Sequence, residues 1–142
     1  MKTRVLLVDD EKDFVESLAE RLDIRDFAVN CVFSGDEAIS LIEKQDFDVI
    51  ILDVLMPGKD GVETLQEIKK LKPLTQVIML TGNATVETAI NGMKKGAYDY
   101  LIKPTETEVL VEKIDKASQI KKDHEERIQQ AEINSIVKRK GW

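Results

Sequence analysis

The chain predicts an α/β fold, a doubly wound domain in which a five-stranded parallel sheet carries helices on both faces. Three features point to it. Arg4-Val5-Leu6-Leu7-Val8, Val49-Ile50-Ile51-Leu52 and Val77-Ile78-Met79-Leu80 are short apolar runs without polar alternation, as strands buried on both faces require. Between them, apolar residues recur at helical spacing. The connections are short, and strands that alternate with helices over short loops imply right-handed crossovers in one sheet.

Each element has its own signal. Phe14, Val15, Leu18 and Leu22 outline a first helix behind Asp9-Asp10. Residues 27–33 alternate apolar and smaller side chains, which suits a more exposed strand. Ser34-Gly35-Asp36-Glu37 reads as a capping box opening a helix through Ala38, Ile39, Leu41 and Ile42. The third strand runs into Asp53 and then into the turn Met56-Pro57-Gly58. Asp60-Gly61-Val62-Glu63 caps a helix with Val62, Leu65, Ile68 and Leu71, which Pro73 terminates. After the fourth strand, which ends at Thr81-Gly82, a weaker helix over residues 85–95 shows only the narrow apolar stripe Val86, Ala89, Ile90 and Met93. Residues 97–102 form the last strand, and Thr105-Glu106-Thr107-Glu108 reads as a capping box for a long final helix.

Composition narrows the classes of function. The 142 residues suit one domain plus an appendage, and 42% apolar content supplies a core without staples. A single Cys31 rules out an internal disulfide and reads as a small buried hydrophobe. No apolar run reaches membrane-spanning length and no secretory leader is apparent, so a cytoplasmic location without membrane contact is expected. Charge is uneven: residues 1–120 hold 15 Lys/Arg against 23 Asp/Glu, and residues 121–142 hold 6 against 4, for −6 in all. An acidic body argues against nucleic-acid binding. Lys138-Arg139-Lys140 reads as a solvated helix end, where cations oppose the dipole.

The chemistry gathers at the strand ends. In open parallel sheets, ligands bind outside the carboxyl ends of the strands. Asp9 and Asp10 end the first strand, Asp53 the third, Thr81 the fourth and Lys103 the fifth. Each has a plainer reading: Asp9-Asp10 as a helix cap, Asp53 and Thr81-Gly82 as turn residues, Lys103-Pro104 as a strand exit. Their common placement favours one site. Three carboxylates there repel unless one is protonated or a cation enters, and an oxygen-only ligand set suits Mg²⁺. Lys103 and the Thr81 hydroxyl would then stabilise charge on the oxygens of a phosphoryl group transferred to Asp53.

These residues resemble a known family. Val8-Asp9-Asp10, the run Val49 to Asp53 with Met56-Pro57-Gly58 and Asp60-Gly61, Thr81-Gly82, and Tyr100-Leu101-Ile102-Lys103-Pro104 are similar to the receiver domain of bacterial two-component response regulators. The resemblance covers residues 2–120. It implies the flavodoxin-like (CheY-like) (βα)5 fold with strand order 2-1-3-4-5. It also implies that Asp53 takes a phosphoryl group from a sensor histidine kinase or phosphotransfer protein. By the same resemblance Asp10, Asp53 and the Leu55 carbonyl ligate Mg²⁺, with Asp9 acting mainly through water, while Thr81 and Lys103 contact the phosphoryl oxygens. Tyr100 becomes the aromatic that turns inward as Thr81 moves, although the residues alone also allow an ordinary strand aromatic. The Lys103-Pro104 bond is expected to be cis, which X-Pro chemistry permits. The protein is then no enzyme in the usual sense but a domain that catalyses its own phosphorylation and dephosphorylation.

Phosphorylation adds about −1.5 to −2 charges and three acceptor oxygens at Asp53, so Thr81 and Lys103 gain partners only in the modified state. That difference can bias a two-state element. The resemblance implies that the helix over residues 85–95, the last strand and the final helix meet the downstream target. Leu55 and Asn83 flank the site; an apolar Leu55 cannot orient water by hydrogen bonding, which favours slow autodephosphorylation.

Residues 1–120 are expected to be the receiver and residues 121–142 a helical extension. Lys121 with Glu125, Lys122 with Glu126 and Asp123 with Arg127 fall at i,i+4, supporting a solvated rod. Ile128, Ile133, Ile136 and Val137 restore apolar character, either folding back or meeting a partner or a second copy. Lys121, His124 and Ser135 at seam positions weaken a coiled coil, and His124 reads as solvated rather than as a phosphodonor. The favoured expectation is a stand-alone receiver signalling by protein contact. The alternatives are the receiver and linker of a longer transcriptional activator, and an aspartyl-phosphate phosphohydrolase. The last usually needs an acid two residues beyond the nucleophile, where Leu55 stands. Neither a glycine-rich dinucleotide loop nor a P-loop is present.

Overall fold

A computed structural model describes residues 2–56, 61–82 and 85–141. The elements run β1 (Arg4–Val8), α1 (Lys12–Ile24), β2 (Ala28–Val32), α2 (Gly35–Ile42), β3 (Val49–Leu52), α3 (Gly61–Leu71), β4 (Gln76–Thr81), α4 (Val86–Lys94), β5 (Asp99–Ile102) and α5 (Thr107–Lys140). All strand pairs are parallel, in the order β2-β1-β3-β4-β5, as expected. β2 and β5 are somewhat shorter than the runs of residues 27–33 and 97–102 suggested. The turn Pro57-Gly58 and the capping Asp60 lie outside the described residues, as does Asn83.

The two-residue period of the central strands divides the core in two. Leu6, Val8, Ile50, Leu52, Val77 and Met79 face α2 and α3, where Ala38, Ile42, Leu65 and Ile68 meet them. Val5, Leu7, Val49, Ile51, Ile78 and Leu80 face α1 and α5, against Val15, Leu18, Leu22, Leu110, Ile114 and Ala117. Ser34 caps α2 by accepting the Glu37 N–H at 3.1 Å. The Glu37 carboxylate returns to the Phe33 N–H rather than to Ser34. Cys31 is only partly buried, and burial, with the nearby Glu16 charge, pushes its thiol pKa up.

Two local expectations fail, and the narrow α4 stripe proves to face outward. The Thr105 box does not form: its hydroxyl donates to the Ile102 carbonyl, and Glu106 is an N-cap without a side-chain bond. The α4 stripe does not enter the core. Val86, Ile90 and Met93 are 77%, 50% and 45% exposed, and Gly92 is the buried residue of the helix, lying against the Met79 side chain. In the tail, the Asp123 carboxylate accepts from Gln119, leaving Arg127 to reach the Asp123 carbonyl.

α5 continues unbroken past residue 120, and its packed face ends near Lys121. The Lys121 ammonium lies 3.4 Å from Asp48 Oδ1 and 3.2 Å from Glu125 Oε2, at the opposite end of the sheet from Asp53. Beyond it the helix is largely exposed, Ile128, Ile133 and Ile136 included, and Gly141 ends it in the left-handed conformation at φ 73°. No helix among the described residues is long and apolar enough to cross a membrane.

Candidate phosphoacceptor site

Sheet register brings the strand ends together. Val8, Leu52 and Met79 lie side by side, so Asp9 and Asp53, each one residue beyond its strand, emerge next to each other. The Asp53 N–H donates to the Val8 carbonyl at 2.9 Å, and the Asp9 N–H to the Val32 carbonyl at 3.3 Å. On the other side the Lys103 N–H bonds the Thr81 carbonyl at 2.9 Å, which seats the lysine over the crevice. The Lys103-Pro104 bond is cis.

The side chains converge as their positions implied. Carboxylate oxygens of Asp9, Asp10 and Asp53 lie within 4.8 Å of one another; Asp9 and Asp53 are buried and Asp10 is exposed. Lys103 Nζ donates to Asp9 Oδ2 at 2.6 Å and lies 3.8 Å from Asp53 Oδ2. It also sits 4.2 Å from the Phe14 ring centroid, a cation–π arrangement. Asp53 Oδ1 accepts the Leu55 N–H at 3.1 Å, a turn bond that fixes the carboxylate, while the Leu55 side chain is exposed. Asp9 does not cap α1; its Oδ1 takes the Glu11 N–H at 2.9 Å, and Glu11 occupies the N-cap position.

Two buried hydroxyls, Thr81 Oγ1 and Tyr100 OH, make no hydrogen bond. An unmet buried hydroxyl is unfavourable, which sets these two apart from the bonded polar groups around them. Tyr100 is half-buried with its ring against the core, its hydroxyl turned away from solvent.

The charges are strained in a defined direction. Burial pushes the Asp53 carboxyl above the usual carboxylate range, and the Asp9 charge adds to this. The Leu55 N–H, Lys103 and, weakly, the nearby Thr81 hydroxyl pull the other way without prevailing. Burial pulls the Lys103 ammonium down, but its bonds to Asp9 and Glu11 and the Asp53 charge outweigh this and hold it above its ordinary value. An oxygen-only set of three close carboxylates with an excess of negative charge fits a hard divalent cation.

A prediction follows from the Asp53 shift. An acid with a raised folded-state pKa binds more protons folded than unfolded in the window above pH 3.8. Stability therefore falls as pH rises through that window. Asp53→Asn should raise the thermal midpoint in metal-free buffer at pH 7. Mg²⁺ should narrow the gap by stabilising the wild type. A variant midpoint at or below wild type contradicts the assigned strain.

With this geometry in view, the comparisons with known proteins agree. Residues 5–115 match the response regulator receiver domain model. The transcriptional regulatory protein ZraR of Salmonella typhimurium is 37% identical over 116 residues, covering 82% of this chain and 26% of ZraR. The chain thus spans about a quarter of that relative's length. A CheY-like receiver domain from Methanospirillum hungatei superposes with a TM-score of 0.84 at 28% identity, over 87% of this chain and 99% of that one. A response regulator from Burkholderia pseudomallei, solved with a phosphorylated aspartic acid, a calcium ion and citrate, superposes at 0.77 with 25% identity, over 99% of this chain and 86% of the other.

The match over residues 5–115 makes this doubly wound sheet, with its acidic crevice and its lysine, a signalling domain. The chain belongs to the response regulator receiver family.

Proposed function

We propose that Asp53 is the phosphoacceptor, that Asp9, Asp10 and Asp53 with the Leu55 carbonyl hold Mg²⁺, and that Thr81 and Lys103 bind the phosphoryl oxygens. The observation that carries this reading is the buried Asp53 carboxylate, gathered with Asp9 and Asp10 within 4.8 Å and faced by the Lys103 ammonium at 3.8 Å. The donor is a phosphohistidine on a sensor histidine kinase or phosphotransfer protein. An Asp53 oxygen forms the new O–P bond as the P–N bond breaks, and the nitrogen leaves with its electron pair and takes up a proton. Lys103 and Thr81 meet the charge on the equatorial oxygens. When bound, Mg²⁺ would neutralise the clustered carboxylates and polarise the phosphoryl oxygens. Attack of water on phosphorus, with the Asp53 O–P bond breaking and inorganic phosphate leaving, makes the domain its own slow phosphatase, with the exposed, apolar Leu55 unable to orient that water.

The output is conformational. The Thr81 hydroxyl, near Asp53 but without a partner at bonding distance, gains a close acceptor when Asp53 is modified, and Tyr100 has an unbonded hydroxyl that can follow. α4 rests on the sheet through Gly92, and beside it β5 exposes Ile102 at 56%, so the α4–β5–α5 surface offers apolar area to a downstream protein. The protein acts in the cytoplasm, without contact with nucleic acid by this segment, and the α5 rod is available for pairing with a second copy. ZraR's description as a transcriptional regulator, and the continuation of α5, favour a second reading in which this segment is the receiver and linker of a longer activator.

Methyl NMR tests the switch. On phosphorylation by phosphoramidate with Mg²⁺, the methyl signals of Ile90, Met93 and Ile102 should shift, and in Thr81→Ala they should lose most of that shift. Full shifts in Thr81→Ala would remove Thr81 from the relay.

A further inference from the structure

Resting on the phosphoacceptor reading above, we propose that Glu11 is a positioning residue that holds Lys103 away from the phosphoryl site and so sets the rate of phosphorylation. Lys103 Nζ is shared: it donates to Asp9 Oδ2 at 2.6 Å and to Glu11 Oε1 at 3.1 Å, while Asp53 Oδ2 stands at 3.8 Å. The ammonium has three protons, and Phe14 covers it from a further side. Two of those protons are taken by Asp9 and Glu11, so moving the ammonium from 3.8 Å into bonding distance of a phosphoryl oxygen at Asp53 draws it away from Glu11.

Asp9 is the partner it keeps. That carboxylate is buried, and its bond to the ammonium is the shorter of the two, 2.6 Å against 3.1 Å. Glu11 is the partner it can release, because its side chain is 65% exposed and water solvates it once the pair opens. The grip is built in rather than incidental: Asp9 Oδ1 binds the Glu11 N–H at 2.9 Å, fixing the backbone from which the Glu11 side chain reaches Lys103. One aspartate therefore orients both the lysine and the residue that competes for it. The contact exists in the unmodified protein and must lengthen in the transition state, so it acts as a brake on transfer.

The test is the rate of phosphorylation by phosphoramidate at saturating Mg²⁺, followed by intact mass. An Asp53 oxygen displaces ammonia from phosphorus, the O–P bond forming as the P–N bond breaks. Glu11→Gln should react about three- to fivefold faster than wild type, the span of one partly exposed ion pair. Glu11→Asp keeps the charge on an arm one methylene shorter and should fall between them. Asp13→Asn removes a neighbouring charge from the exposed first turn of α1 and should react at the wild-type rate. A gain in rate is not what a loosened fold produces, which separates positioning from a structural role. Glu11→Gln reacting at or below the wild-type rate, or Asp13→Asn accelerating equally, would overturn the assignment to Glu11. Wild type that takes up no phosphoryl group at all would instead overturn the phosphoacceptor reading.

Discussion

Gly61→Ala is expected to destabilise the domain by about 3 kcal/mol, the upper part of the usual overpacking range. A Cβ at Gly61 would stand 2.4 Å from Val54 Cα and 2.5 Å from the Asp53 carbonyl oxygen, both backbone atoms. Backbone cannot rotate aside as a side chain can, and the Gly61 N–H is tied to the Val54 carbonyl at 2.9 Å. The start of α3 and the segment leaving Asp53 must therefore separate. Gly92 provides the internal comparison. A Cβ there would meet Met79 Sδ at 2.3 Å and Cε at 2.7 Å, and a methionine end can repack. Urea denaturation should thus show a large drop in midpoint for Gly61→Ala and a smaller one for Gly92→Ala. Equal midpoints for Gly61→Ala and wild type would contradict the close approach.

Lys103→Met should slow phosphorylation by small donors by about 10²-fold, the usual effect of removing one fixed donor from a transition state. The same change should leave Mg²⁺ affinity intact or increase it. The ammonium lies 2.6 Å from Asp9 and 3.8 Å from Asp53, so it competes electrostatically with a divalent cation for the same carboxylates. Binding and chemistry are expected to separate in this variant, which distinguishes a lysine that meets the phosphoryl group from one that only holds the crevice together. Tight Mg²⁺ binding with a wild-type rate would deny Lys103 its role in transfer. Loss of Mg²⁺ binding would make it a structural residue.

Most of the fold was legible because its signals are redundant. The strands of the centre are apolar on both faces, the helices between them carry apolar stripes, and each strand end that bears chemistry is followed at once by a turn former or a helix start. That placement alone puts Asp9, Asp10, Asp53 and Lys103 at one crevice, where their side chains meet. What escaped were features with no periodic signature. Glu11 is an exposed acid at a helix start, where an acid is ordinary, and only the position of Lys103 across the sheet gives it a partner. The narrowness of the α4 stripe was visible, but which of its residues rests on the sheet was not, since Gly92 leaves no apolar mark. At Thr105 the capping pattern was present, but a competing acceptor, the Ile102 carbonyl, lay just upstream and took the hydroxyl.

The central claim is that a crowded anionic crevice turns one aspartate into a phosphoryl acceptor once a cation is present. Intact mass after incubation with phosphoramidate, with and without Mg²⁺, followed by peptide mapping, tests it most directly. One phosphoryl group per chain should appear only with the metal, on the peptide that carries Asp53, and none should appear in Asp53→Asn. Equal labelling of Asp53→Asn, or of wild type stripped of divalent ions, would contradict it.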